Sequence, residues 1–253
     1  STALYVGYWT ISGAIIDVLD PNTLDIVRTF KAPSGHNQIH SLVLSSTALY
    51  VGYDTVPGVI DVLDPNILNI VRTFKAPSGH NHISALALSS TALYVGYWTN
   101  PGIVDMLDPN TLDIIAIFKA PSDRGRINAL TLSNTALYVG YLTNPGIVDA
   151  LNPNTLDIIA TFKAPSGHEN VNAFALSSTA LYVGYFTDPA IIDILNSSTL
   201  ELISDISPCC DGFVVSNGGN ASLMRVFDGV YIIVPMSDST WVGDRVYSFI
   251  KTT

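Results

Sequence analysis

Residues 89–122 read SSTALYVGYWTNPGIVDMLDPNTLDIIAIFKAPS. The phrase TALYVGY inside this stretch begins at Thr2, Thr47, Thr91, Thr135 and Thr179, so the chain repeats itself at intervals of 45, 44, 44 and 44 residues. A period near 44 is that of propeller blades built from four strands each. Helical repeats of similar length are the competing reading, and composition decides against them. Gly and Pro interrupt each unit at two or three places, leaving runs of five to eight residues rich in Val, Ile, Tyr and Thr. Such runs favour pleated backbone over helix.

The middle unit places the four strands. Ile83–Leu88 (ISALAL) is the first, Ala92–Tyr97 (ALYVGY) the second, Gly102–Leu107 (GIVDML) the third and Leu112–Phe118 (LDIIAIF) the fourth. The fourth is entered through an Asp-Pro-Asn-Thr turn, in which Pro sets φ and the Asp and Asn side chains bond back to the backbone. The first strand alternates bulky residues (Leu86, Leu88; Leu130, Leu132; Phe174, Leu176) with small ones (Ala85, Ala87; Ala129, Thr131; Ala173, Ala175). A strand apolar on both faces is expected to be covered on both. The fourth strand instead mixes Arg28, Arg72 or Thr161 among apolar residues, as suits an outer edge kept soluble by charge.

Beyond Thr199 the wording fails while the rhythm persists. GFVVSN from Gly212, LMRVF from Leu223, VYIIVP from Val230 and RVYSFIK from Arg245 fall where another blade's strands belong. Gly218-Gly219 and Asp228-Gly229 supply turns between them. The expected fold is therefore all-β, a single β-propeller domain over residues 1–253 with six four-stranded blades. Its units are 1–45, 46–89, 90–133, 134–177 and 178–206, with a divergent last blade at 207–253. The alternative is five blades plus a C-terminal extension. The first unit starts at its second strand, so its first strand is expected upstream of Ser1 or from another chain. The sequence opens without Met and without a signal-peptide pattern, as a processed or partial chain would.

ALYVGY followed by AIIDVLDPNTLDIVRTFKAPS resembles the YVTN-type β-propeller repeat, in which a Tyr-Val strand precedes an Ile-Asp strand and a Thr-containing turn. The resemblance extends from Ser1 to about Ile206. The chain departs from the family pattern in carrying Gly-Tyr after Tyr-Val. The resemblance implies an extracellular or cell-surface protein of the surface-layer or secreted kind.

Bulk properties narrow the function. Only 13% of residues are charged and the formal charge is −10, with an isoelectric point near 4.6. Such a balance repels phosphate backbones and anionic lipid, so neither nucleic acid nor membrane is an expected partner. No apolar run reaches eighteen residues, so no membrane insertion is expected. No phosphate-binding Gly loop and no nucleophile elbow occurs. The chain is expected to be no enzyme and to need no cofactor and no metal.

The candidate binding residues lie in the longer loops, between second and third strands and between one unit and the next. The first residue of the former is the most changeable in the repeat: Trp9, Asp54, Trp98, Leu142 and Phe186. Exposed aromatics there would suit a protein or sugar partner; alternatively they fold over the seam between sheets. His36, His80 and His168 share one position in the latter loop, with His40 and His82 nearby. Equivalent residues on sheets about 10 Å apart do not converge on one ion. Asp17, Asp61, Asp105, Asp149 and Asp193 recur in the third strand and are expected to satisfy groups of their own unit, such as the hydroxyls of Tyr94 or Tyr97. No Asp is expected to meet a His in a manner that other units lack. Asn196 and Asn220 begin N-glycosylation triplets. The adjacent Cys209 and Cys210 suit a vicinal disulfide, a bridge to another chain, or free thiols. These readings converge on a structural or adhesive module, a subunit of a surface layer or filament that contacts copies of itself or other surface proteins. The second reading is a multivalent lectin that binds glycans through the loop aromatics; a lactonase-like or hydrolytic propeller is the third.

Overall fold

The structure is a computed structural model that describes residues 3–10, 13–187 and 190–206, and the backbone of strands Ser222–Arg225, Tyr231–Val234 and Arg245–Lys251. The described residues form strands joined by turns. Sheet one contains β1 (Leu4–Thr10), β2 (Gly13–Leu19) and β3 (Ile26–Lys31); sheet two contains β4 (Ile39–Leu44), β5 (Leu49–Tyr53), β6 (Val59–Leu63) and β7 (Ile70–Lys75). Sheet three contains β8 (Ile83–Leu88), β9 (Leu93–Tyr97), β10 (Ile103–Leu107) and β11 (Ile114–Lys119). Sheet four runs through β12 (Arg126–Leu132), β13 (Leu137–Leu142), β14 (Ile147–Leu151) and β15 (Ile158–Lys163). Sheet five runs through β16 (Val171–Leu176), β17 (Ala180–Tyr185), β18 (Ile192–Asn196) and β19 (Leu202–Ile206). Strands neighbour one another in chain order, so the first and fourth strands of each unit are opposite edges, as the repeat predicts.

The C-terminal segment departs from expectation. Among the described residues there are five four-stranded sheets, not six. β20 (Ser222–Arg225) and β21 (Tyr231–Val234) pair only with each other. β22 (Arg245–Lys251) leaves them and lies antiparallel to β1, with Leu4 opposite Lys251 and Trp9 opposite Arg245. The chain's own C-terminal strand thus occupies the place expected upstream of Ser1 or from another molecule. An unpaired β1 would present a row of free backbone N–H and C=O groups, and β22 satisfies them.

The described chain divides into two compact units. One comprises Ser1–Thr99, Met106–Ile115 and Val242–Thr253; the other comprises Asn100–Asp105 and Ala116–Trp241. Within the first, Ile16, Val18, Leu49, Val51 and Leu63 form a core; within the second, Tyr138, Val148, Leu181, Val183 and Leu195 do. Full burial of each such aliphatic residue contributes about 1.5–3 kcal/mol. The glycine of YVGY is what lets neighbouring sheets close up. A Cβ on Gly52 would lie 2.6 Å from Ile83 Cγ2, and one on Gly140 would lie 2.4 Å from Val171 Cγ1.

Turn chemistry explains the tight link between third and fourth strands. Asp20 Oδ1 accepts from the backbone N–H of Asn22 and Thr23 at 2.8 and 3.2 Å, and Asp108 repeats the pattern at 2.7 and 3.1 Å. Asn152 and Asn196 serve in the Asp position. Each turn then places a leucine in the left-handed region: Leu24, Leu68, Leu112, Leu156 and Leu200 have φ between 58° and 66°. Four of these side chains are buried, which offsets the unfavourable backbone; Leu24 is exposed.

Candidate functional site

In three of the repeats the first tyrosine of YVGY ties a sheet to the next. Tyr5 Oη donates to the Pro65 carbonyl at 3.1 Å, Tyr50 to Pro109 at 2.9 Å, and Tyr138 to the Ser197 carbonyl. The second tyrosine turns toward the repeated aspartate. Asp61, Asp105, Asp149 and Asp193 are fully buried. Tyr185 donates to Asp193 at 2.7 Å. Burial first, and the neighbouring carboxylate second, push the hydroxyl pKa of Tyr53, Tyr141 and Tyr185 far above the ordinary tyrosine range. In three units a threonine stands opposite the aspartate in the ladder and donates to it: Thr29 to Asp17, Thr73 to Asp61 and Thr161 to Asp149, each at 2.6 Å.

The remaining partner comes from the loop between sheets. His36 Nδ1 lies 2.8 Å from Asp61 Oδ2, and His168 Nδ1 lies 3.2 Å from Asp193 Oδ2. A carboxylate only accepts, so Nδ1 carries the proton. Arg124 stands at the same loop position between sheets three and four. Its Nε and Nη2 donate to the two oxygens of Asp149 at 2.9 and 3.0 Å. The aspartates thus satisfy hydroxyls of their own sheet, as expected, and also accept from the loop that leads into it. His36 and His168 pair with different aspartates, Asp61 and Asp193, in different sheets. His36 also packs at a tilt against Tyr53, with ring centres 4.8 Å apart, as does His80 against Tyr97 at 5.1 Å, while His168 meets Tyr185 edge-on at 5.4 Å. This arrangement is a framework of charge-assisted hydrogen bonds, each contributing about 1.5–3 kcal/mol. The signal in the sequence was the constant separation of 25 residues between the loop His or Arg and the aspartate.

One cluster breaks the repetition. Asp54, where other units carry an aromatic or Leu, contacts His82 Nδ1 through Oδ1 and lies 3.6 Å from His40 Nε2 through Oδ2. His40 also approaches Gln38 Oε1 at 3.4 Å. Burial, opposed by the Asp54 charge and reinforced by His82, holds the His40 pKa below its ordinary value. Trp98 stands edge-on to His82, with ring centres 6.4 Å apart. Backbone bonds knit the two loops together: Asp54 N–H donates to Gln38, His82 to Thr55 and Trp98 to His82, at 2.8–2.9 Å. The expectation that no unit pairs Asp with His in its own way is corrected here. Asp54 at the changeable position and two extra histidines were the available signal.

The other candidate residues are placed as follows. Trp98 is 38% exposed in the first compact unit; in the second, Phe186 is 40% exposed and Leu142 half-buried. The Trp9 backbone pairs with Ala14 and Arg245, and its side chain lies outside the described residues. Asn196 caps its turn through Oδ1. Asn220, Cys209 and Cys210 lie outside the described residues.

Comparison with solved structures follows from this geometry. A chain of a structure titled "Crystal Structure of Mitotic Checkpoint Complex" matches with a TM-score of 0.63 at 16% identity, over 76% of this chain and 60% of that one. The fold is propeller-like. The likeness extends to 1492 chains of known structure, so the fold alone selects no activity. No family model matches the chain, and no curated protein does. The YVTN-type resemblance accordingly rests on the residues quoted for it. This chain spans about three fifths of its propeller-like neighbour's length.

Proposed function

We propose that the chain is a non-catalytic β-propeller of the YVTN-like kind, serving at the cell surface as a structural or adhesive module that contacts copies of itself and other surface proteins. The observation that carries the reading is the outer strand of each sheet. It exposes branched apolar side chains: Ile26 and Val27, Ile70 and Val71, Ile115 and Ile117, Ile158 and Ile159, Leu202 and Ile203. A repeated apolar edge suits repeated contacts with protein. The repeated Asp, Tyr, Thr and His residues meanwhile act inside the framework, and an Asp–His pair that recurs from sheet to sheet is scaffolding rather than a unique reactive centre.

The reading is tested by light scattering and negative-stain microscopy of purified chain over a concentration series, with surface biotinylation of producing cells for location. Concentration-dependent assembly and surface labelling are expected. A chain that stays monomeric throughout and escapes surface labelling overturns the reading. The exposure of Trp98 beside the Asp54–His82 pair favours a second reading, glycan binding by stacking on the indole with polar groups at its rim. A glycan array comparing the parent chain with Trp98→Ala separates the two; an array without binders removes the second.

A further inference from the structure

The outer strand of sheet four has a charge pattern that is its own complement. Asp157, Ile158, Ile159, Ala160, Thr161, Phe162 and Lys163 run from the turn to the end of β15. Both terminal charges are exposed, as are Ile158 and Ile159, at 39% and 56%. β15 bonds to β14 on one side and is the sheet's edge on the other. Set antiparallel against a second copy of itself about a two-fold axis at Ala160, Asp157 faces Lys163 at both ends, Ile158 faces Phe162 and Ile159 faces Thr161. We infer that two copies of this chain associate through β15 in this antiparallel register; the inference rests on the self-association proposed above and names its surface.

The ladder to β14 shifts at Ala150/Leu151, so Ile158 and Ile159 together oppose a single residue and both side chains remain exposed. Such a bulge discourages a continuous backbone ladder with an incoming strand. Side chains therefore make the contact: an apolar middle between two ion pairs. The symmetry is isologous, each surface being the other's partner.

The other outer strands sort by the same rule. β11 repeats the pattern, with Asp113 and Lys119 at its ends, Ala116 at its centre and Ile115 facing Ile117. β3 and β7 place Arg28 and Arg72 at the centre, where the same register would set two like charges opposite each other. β19 ends without a cation and offers no complement to Glu201. Two of the five edges thus carry the self-complementary pattern. Two isologous contacts per chain link copies into an open series rather than a single pair.

Charge exchange tests the register. One variant carries Asp113→Lys with Asp157→Lys, and the other carries Lys119→Asp with Lys163→Asp. All four positions are exposed, and far-UV circular dichroism checks that each variant folds. By sedimentation, each variant alone is expected to assemble about tenfold more weakly than the parent, or less still, because like charges meet at both ends. An equimolar mixture is expected to recover parental assembly within about twofold, because every Lys-ended strand then finds an Asp-ended one. A parent that never assembles overturns both the self-association and this contact. A parent that assembles, with variants that assemble alone as well as it does or a mixture no better than either, overturns the contact and leaves the self-association standing.

Discussion

Replacing Arg124 by Ala removes the cation that hydrogen-bonds both oxygens of Asp149, leaving a fully buried carboxylate that accepts from Thr161, with the Tyr141 hydroxyl nearby. Arg124 is 11% exposed and Asp149 not at all. Breaking a pair of this burial costs about 3–5 kcal/mol, because the surviving charge keeps its desolvation cost without its partner. Arg124 retains some solvent contact, which sets the expectation at the lower end, about 3 kcal/mol. For a chain of this size that corresponds to a melting point lower by about 6–12 °C. Urea denaturation followed by circular dichroism at pH 7 measures it. High salt should leave the deficit in place, since a buried pair is weakly screened. The repeat supplies its own rescue in a single-residue graft, Arg124→His, which restores the residue type that sits 2.8 Å from Asp61 at His36 and keeps Gly125, where a Cβ would lie 2.2 Å from the Leu142 carbonyl oxygen. The graft should recover all but about 1 kcal/mol, the size of one ordinary hydrogen bond. An Arg124→Ala chain within about 0.5 kcal/mol of the parent, or a graft no better than Ala, refutes the assignment of one role to this loop position.

Four further outcomes follow from the packing. Gly140→Ala places a methyl 2.4 Å from Val171 Cγ1 and 2.8 Å from Phe174, and should destabilise by about 1–3 kcal/mol in the same urea assay. Leu24→Gly relieves a left-handed residue whose side chain is 62% exposed, and should raise stability by up to about 1 kcal/mol. Leu156→Gly relieves the same backbone but forfeits a buried side chain, and should lower stability by about 1–2 kcal/mol on balance. Deleting residues 242–253 strips β22 from β1, so proteolysis of the first sheet should quicken and a synthetic 242–253 peptide should protect it again; equal protease resistance without the strand counts against the pairing.

The local features were legible from residues alone. Strand β8 occupies Ile83–Leu88 as the alternation predicts, and the second to fourth strands of that unit differ from expectation by two residues or fewer at each end. The Asp-Pro-Asn-Thr turns bond back to the backbone as their chemistry requires. These features depend on neighbours a few residues away, so composition and period carry them. The destination of β22 does not. Arg245–Lys251 reads as a strand in either setting, and only the free edge of β1 decides that it completes sheet one rather than a sixth sheet.

The site divides along the same line. Its recurring residue types were visible in the sequence, whereas the meeting of His36 with Asp61, or Arg124 with Asp149, joins a loop side chain to a strand residue 25 positions on. Asp54 shows the limit most sharply: its type was legible as an oddity, but its place between His40 and His82 depends on two separate loops folding together. Periodicity fixes what each unit becomes by itself. Contacts between units arise from chain segments brought together by burial, and only the tertiary structure decides which of them meet.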